Sequence, residues 1–322
     1  MSEGFETMTL RVHAMQWEAE TVLSVDLRDP NSAELPEFTA GAHIDLVLPN
    51  GITRSYSLSN DQRERHRYVV GVSRDAKSRG GSTYIHDSLR VGQLLPVSAP
   101  LNNFPLAEDA EQTILFAGGI GITPMLSMVR RLETLGRNWT LYYCVRERSL
   151  TAFGDELATL AASHPERLQL HVDAEHDGAV LDLAAVVDAA PEGTHMYCCG
   201  PLPMLEGFEK AAVELPSAQR HVEYFAAKDA PALEGGFEVE LAQSGRTLTI
   251  EPGRTILDTM QEAGIDVSYS CGEGICGTCE TRVLAGTPDH RDLVLTDQEK
   301  EANDIIMICC SGSKGPKLVL DR

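Results

Sequence analysis

The cysteines near the C-terminal end carry the strongest chemical signal in this sequence. Cys271, Cys276 and Cys279 are spaced C-x4-C-x2-C, and an adjacent pair, Cys309 and Cys310, lies further on. This is the plant-type spacing for a 2Fe–2S cluster. Two sulfide-bridged irons need four thiolates, three from one wrapped loop and one from a distant segment. Gly272, Gly274 and Gly277 let such a loop curl tightly and point N–H groups at sulfur. A zinc site on Cys276 and Cys279 is the competing reading, but zinc usually takes two such pairs and only one is present. If Cys309 and Cys310 sit on a strand, their side chains face opposite ways and only one of them can bind. The residues themselves leave open which. A cluster of this type accepts single electrons at a potential of about −400 mV.

A second signal lies mid-chain. Ala117-Gly118-Gly119-Ile120-Gly121-Ile122-Thr123-Pro124 follows the apolar run Thr113 to Ala117 and precedes a helical pattern. Glycines admit a pyrophosphate close to the backbone, and the following helix offers free N–H groups and a partial positive charge. Thr123 suits a helix cap and Pro124 a first helical position. Cys199, Gly200 and Pro201 end another apolar strand in the same manner.

The third signal is Thr53-Arg54-Ser55-Tyr56-Ser57-Leu58. Strand alternation puts Arg54 and Tyr56 on one face, a cation for phosphate beside a ring that can stack on a flavin. Arg79, Gly80, Gly81, Ser82 and Thr83 then form a turn suited to one terminal phosphate.

The elements that must hold these residues follow three patterns. Up to about Pro105 the chain reads as short strands, among them Thr21 to Leu27, Ile44 to Leu48 and Tyr68 to Val72, with one helical stretch from Thr83 to Leu89. This implies a small antiparallel barrel. From Gln112, strands at Thr113 to Ala117, Thr140 to Val145 and Thr194 to Cys199 alternate with helical spacing such as Met125 to Leu135, which implies a parallel sheet. A linker-like run from Ala226 to Gly236 precedes a hairpin at Phe237 to Leu241 and Thr247 to Ile250, then a helix from Thr255 to Ala263.

The chain has 322 residues, 43% apolar and 23% charged, a globular composition with room for two or three domains. Its formal charge of −21 argues against a nucleic-acid partner and suits either solubility or docking onto a basic protein. No apolar run approaches the roughly eighteen residues of a membrane span, and Met1 to Glu6 do not resemble a signal peptide, so a cytoplasmic location is expected. Cys144, Cys198 and His43 read as packing residues.

Together these segments resemble the phthalate dioxygenase reductase family, the reductases of Rieske-type aromatic oxygenases. The resemblance covers nearly the whole chain. It rests on R-x-Y-S at Arg54 to Ser57, the G-R-G-G-S-type turn at Arg79 to Ser82, A-G-G-I-G-I-T-P at Ala117 to Pro124, Y-C-C-G-P at Tyr197 to Pro201, and H-x-E-x-F at His221 to Phe225. It implies an antiparallel β-barrel flavin domain at 1–105, an α/β parallel-sheet nicotinamide domain at 106–228, a linker at 229–236, and a β-grasp ferredoxin domain at 237–322. It further implies FMN held by Arg54, Tyr56, Ser57, Val72, Arg79, Gly80, Gly81, Ser82 and Thr83, with Phe225 nearby. The nicotinamide nucleotide is assigned to Gly118, Gly119, Gly121, Thr123, Pro124, Cys199, Gly200 and Pro201. Cys309, rather than Cys310, becomes the fourth cluster ligand.

NADH is the implied donor, although Arg146 and Arg148 are placed where they would meet a 2′-phosphate. A separate Rieske-type oxygenase is the implied acceptor and the chain is expected to be a monomer. A haem-thiolate monooxygenase partner, or a non-catalytic redox carrier or sensor, are the alternatives. Asp289 to Asp292 resembles a family segment near the cluster, and reads equally as a salt-bridged surface loop. Leu101 departs from the pattern, standing where the family often has Arg.

Overall fold

The computed structural model describes residues 7–75 and 80–322. The first six strands are β1 (Thr7–Ala19), β2 (Val22–Arg28), β3 (His43–Val47), β4 (Thr53–Ser57), β5 (Tyr68–Ser73) and β6 (Leu94–Ser98), with helix α1 (Gly81–Asp87) before the last. They form an antiparallel sheet in the order β4-β3-β6-β1-β2-β5. A bridge between Leu58 and Val70 brings the two edges together and closes the barrel. Alternate residues Leu10, Val12, Val25, Leu27, Ile44 and Leu46 fill its interior. Each contributes roughly 1.5–3 kcal/mol by leaving water. β1 and β6 were not apparent in the sequence pattern. In β1 the alternation is broken by register shifts between Val12 and Ala14 and between Trp17 and Ala19.

The next segment alternates strand and helix: β7 (Gln112–Gly118), α2 (Ile122–Leu135), β8 (Asn138–Val145), α3 (Gly154–Ser163), β9 (Leu168–Val172), α4 (Leu183–Asp188), β10 (His195–Cys199), α5 (Leu202–Ala211) and β11 (Arg220–Glu223). The strands are parallel in the order β11-β10-β7-β8-β9. Strand order reverses between β7 and β10, and such a switch opens a crevice at the C-terminal ends of the strands. Both glycine turns from the sequence lie there.

One local expectation is corrected. Thr123 is not the helix cap and Pro124 is not the first helical position, because a 3₁₀ turn at Gly119–Gly121 runs directly into α2 at Ile122. Thr123 lies inside the first turn, its hydroxyl donating back to the Ile120 carbonyl at 3.0 Å. Pro124 is tolerated because N–H groups in the first turn have no intrahelical acceptor. At the other end Gly136 takes φ 65° and closes α2, with the Arg137 N–H donating to the Leu132 carbonyl.

The barrel and the parallel sheet belong to one compact unit that ends at Phe225. Arg130 of α2 donates to the Ser59 carbonyl at 2.8 Å and pairs with Glu156 at 2.6 Å. Gly71 of β5 packs under the turn before α2; a Cβ there would lie 2.6 Å from Thr123 Cγ2.

The second unit begins at Ala226. It contains β12 (Phe237–Leu241), β13 (Arg246–Ile250), α6 (Ile256–Glu262), β14 (Glu280–Ala285), β15 (Pro288–Asp289), α7 (Asp297–Ala302), β16 (Ile305–Met307), β17 (Gly312–Ser313) and β18 (Lys317–Leu320). The main sheet runs β13-β12-β18-β14-β16, with β12 and β18 parallel and the other pairs antiparallel. Ile256, Leu257 and Met260 of α6 join the sheet core, the arrangement of a β-grasp. A capping box of Thr255 and Asp258 starts α6. Among the described residues no helix is long and apolar enough to cross a membrane.

Candidate functional site

In the second unit the loop between α6 and β14 carries Cys271, Cys276 and Cys279, all buried. Gly272, Gly274 and Gly277 hold φ of 67°, 72° and 82°, the left-handed region that side chains resist. This winding turns backbone donors inward: the Glu273 N–H reaches Cys271 Sγ at 3.3 Å, and the Cys271 N–H reaches Cys276 Sγ at 3.5 Å. Hydrogen bonds from Cys276 and Cys309 push the Cys271 thiol well below its ordinary value. Cys309 also bonds to Cys279. Among the described residues no three His, Cys, Asp or Glu side chains are grouped as ligands of one metal ion would be. The four thiols are linked in a chain, Cys276 to Cys271 to Cys309 to Cys279. Buried sulfurs with N–H groups directed at them suit the donor set of a bridged iron pair.

The premise that Cys309 and Cys310 lie on a strand does not hold. β16 ends at Met307, and the Cys310 N–H donates back to the Met307 carbonyl in a turn. Both thiols are therefore buried. Cys309 faces Cys271 and Cys279, whereas Cys310 lies against Gly274, leaving no room for a Cβ there. The Asp289 to Asp292 segment braces this loop. Leu293 N–H donates to the Gly274 carbonyl at 2.9 Å, and the buried Asp292 accepts from Leu295 N–H at 2.9 Å. Arg291 pairs with Asp289 at 2.7 Å on the more exposed side.

In the first unit the crevice at the switch point is built by two interlocked turns. A Cβ on Gly118 would lie 2.6 Å from Pro201 Cδ and 2.7 Å from Met204 Sδ, and one on Gly121 would overlap the Cys199 carbonyl. A Cβ on Gly200 would meet Gly118 Cα at 3.0 Å. These glycines are needed first to pack turn on turn. Gly119 differs: its φ is 53° and the space beside it is open, so it is the glycine able to receive a ligand. The N-termini of α2 and α5 end at these turns and direct partial positive charge into the crevice.

Three segments far apart in sequence meet beside it. Ser57 of β4 donates to Glu223 of β11 at 3.4 Å, and the Cys199 thiol of β10 lies 3.8 Å from the same oxygen. Register sets this up, with Cys199 opposite Glu223. Glu223 keeps some exposure as a residue, but burial of its carboxyl pushes it up to about 8. The carboxyl is therefore neutral at pH 7. Burial likewise raises the Cys199 thiol well above its ordinary value. Glu223 is the glutamate of the H-x-E-x-F match at His221 to Phe225, but the motif alone assigned it no role in the site. Phe225 stands two residues on, 37% exposed.

On the barrel, Arg54 lies over the start of α1, where a Cβ on Gly81 would be 2.7 Å from its Cγ. Gly80 opens that helix at φ 101°, and Ser82 Oγ accepts from the Asp75 N–H. Thr83 sits in the same first turn. Arg79 falls outside the described residues. Burial raises the Tyr56 phenol to about 12, so it is an uncharged ring. An arginine stem over a helix start, with a neutral tyrosine two residues along the same strand, fits a flavin phosphate and ring. Val72 turns its side chain into the barrel core, and its carbonyl contacts His86 Nε2 at 3.0 Å. Burial raises the Cys144 thiol to about 12 and pushes Cys198 up as well, in keeping with packing roles. His43 is buried, and its backbone pairs both ways with Leu101, an arrangement indifferent to the side chain at 101.

Residues 115–210 match the oxidoreductase NAD-binding domain family, and residues 239–313 match the 2Fe-2S iron-sulfur cluster binding domain family. The chain is 58% identical over 315 residues to the phenoxybenzoate dioxygenase subunit beta of Ectopseudomonas oleovorans, covering 98% of this chain and 97% of that one. Among solved structures it is similar to an intact type IV self-sufficient cytochrome P450 monooxygenase, at a TM-score of 0.85 and 38% identity over 98% of this chain and 41% of the other. It is also similar to phthalate dioxygenase reductase, at a TM-score of 0.77 and 40% identity over 98% of each chain. With this likeness running from the barrel through the cysteine loop, the chain belongs to the phthalate dioxygenase reductase family.

Proposed function

We propose that this chain is the NADH-dependent reductase component of a two-component oxygenase, passing electrons through FMN and a 2Fe–2S cluster to a separate Rieske-type protein. The observation that carries this reading is the meeting of Ser57, Cys199 and Glu223, which joins the flavin-type barrel to the nucleotide crevice in a chain that also carries the three-cysteine loop and the distant Cys309. When bound, FMN and the cluster supply the conversion of a two-electron hydride into single electrons.

The residues of the chain bind and orient. Gly119 and the start of α2 receive the pyrophosphate, with Gly118, Gly121, Thr123 and Pro124 shaping the turn. Cys199, Gly200 and Pro201 border the nicotinamide, and Phe225 covers the flavin ring. Arg54, Tyr56 and Ser57, with Arg79, Gly80, Gly81, Ser82 and Thr83, would hold FMN, whereas Val72, wholly inside the barrel core, would support them from behind. Cys271, Cys276, Cys279 and Cys309 ligate the irons. Glu223 holds its proton at the carboxyl and so leaves no anion beside the place where hydride moves. The domains run 1–105, 106–228 and 237–322, with a linker at 229–236, and the protein works as a cytoplasmic monomer.

The relative named for phenoxybenzoate dioxygenase supports an aromatic-ring oxygenase as partner. The likeness to a cytochrome P450 that carries a matching segment favours a second reading, a haem-thiolate acceptor. Reconstitution separates them. Purified chain, NADH and a Rieske oxygenase of an aromatic acid should turn over substrate, with little reduction of a haem-thiolate monooxygenase. Efficient turnover with the haem-thiolate enzyme alone would favour the second reading.

A further inference from the structure

The loops that leave β8 and β9 bear directly on coenzyme choice. Register places Gly118 opposite Cys144 and Cys144 opposite His171, so β7, β8 and β9 end side by side. From β7 the chain enters the Gly119 turn. From β8 it continues through Arg146, Glu147 and Arg148, and from β9 through a 3₁₀ turn at Asp173–His176. Resting on the reading above, the nicotinamide lies toward β10 and β11, where Ser57, Cys199 and Glu223 meet, and the pyrophosphate lies after β7. The adenosine end then extends the other way, over the ends of β8 and β9. In sheets of this kind an acidic residue there suits a ribose 2′-hydroxyl and an arginine accommodates a 2′-phosphate.

By sequence Arg148 is such an arginine, but in the structure it is engaged. Its Nε and Nη2 both donate to the Glu175 carboxylate, each at 2.7 Å. The two loops are fixed to each other by the Ala174 N–H donating to the Arg146 carbonyl at 3.0 Å. Arg146 and Arg148 share these loops with the carboxylates of Glu147, Asp173 and Glu175, so acidic side chains outnumber the arginines. A phosphate carrying close to two negative charges meets no net attraction there.

We propose that Glu175 selects NADH over NADPH by holding Arg148, withdrawing the cation that a 2′-phosphate requires. Glu175 acts as a positioning residue, through Arg148. The pair is largely exposed, so its removal should leave the fold intact.

The test is NADH- and NADPH-driven ferricyanide reduction by the full-length holoprotein, comparing wild type, Glu175→Gln and the double variant Glu175→Gln/Arg148→Gln. Wild type should favour NADH. Glu175→Gln should raise kcat/KM for NADPH by roughly tenfold, about the factor one charge-assisted hydrogen bond supplies, and the double variant should lose that gain. An unchanged NADPH efficiency in Glu175→Gln, a gain that survives loss of Arg148, or a wild type that prefers NADPH would overturn the proposal. If neither coenzyme reduces the wild type, the reductase reading falls and this inference falls with it. NADH reduction without a shift in the variant overturns this inference alone.

Discussion

Glu223 draws its properties from neighbours that no local pattern connects to it: Ser57 comes from the barrel and Cys199 from the adjacent strand. Its folded value near 8 lies above the ordinary 4.5. For a carboxyl shifted upward, stability is fully present below the unfolded value and is lost as pH rises through the folded one. Glu223→Gln, which cannot ionise, should therefore gain stability relative to wild type between pH 4.5 and about 8. Urea unfolding of both proteins at several pH values checks this, and parallel pH dependence would show that Glu223 is not buried as a neutral acid. The fourth cluster ligand is a second case. Sequence spacing found Cys271, Cys276 and Cys279 because the loop is contiguous, but the choice between Cys309 and Cys310 depends on a turn that spacing does not reveal. Cys309→Ser should lose the visible iron–sulfur bands and retain flavin absorbance, while Cys310→Ser should keep both. A bleached Cys310→Ser with an intact Cys309→Ser would reverse the assignment.

Among the elements, the two glycine turns show why a motif can be recognised and its residues still misassigned. The run of glycines announced a nucleotide turn, yet Gly118 and Gly121 are required by the packing of β7's turn against β10's, and only Gly119 faces open space. Gly121→Ala should push the turns apart and cost several kcal/mol, about the penalty of overpacking a buried site. Gly119→Ala should cost roughly 1–2 kcal/mol for its left-handed backbone while the protein still folds, and its effect should appear mainly as weaker NADH binding. Thermal unfolding together with NADH titration distinguishes the two; equal loss of stability in both would contradict the packing difference. Short β-rich runs bounded by turn residues, such as β3 and β5, were legible in the sequence. β1 was not, because its bulges shift which residues face the core, and the start of α2 was misread because a 3₁₀ turn replaces an extended cap.

At the scale of the molecule, the sequence announced three successive patterns, whereas packing gathers the described chain into two compact units. The difference lies in contacts between distant residues: Arg130 on Ser59, and Gly71 beneath Thr123. The formal charge of −21 also acts at this scale. If it steers docking onto an oxygenase, the association rate should fall steeply as ionic strength rises through about 0.15 M, while NADH oxidation with ferricyanide changes little. A docking rate indifferent to salt would leave the acidity to solubility alone. The central claim is that hydride taken up by one unit leaves as single electrons from the other. An anaerobic NADH titration of the purified holoprotein, followed by visible absorbance and low-temperature EPR, tests it most directly. Bleaching of both flavin and cluster bands, with a rhombic 2Fe–2S signal, is the expected result. Centres that stay oxidised with NADH but are reduced by dithionite would contradict it and leave an electron carrier or sensor in its place.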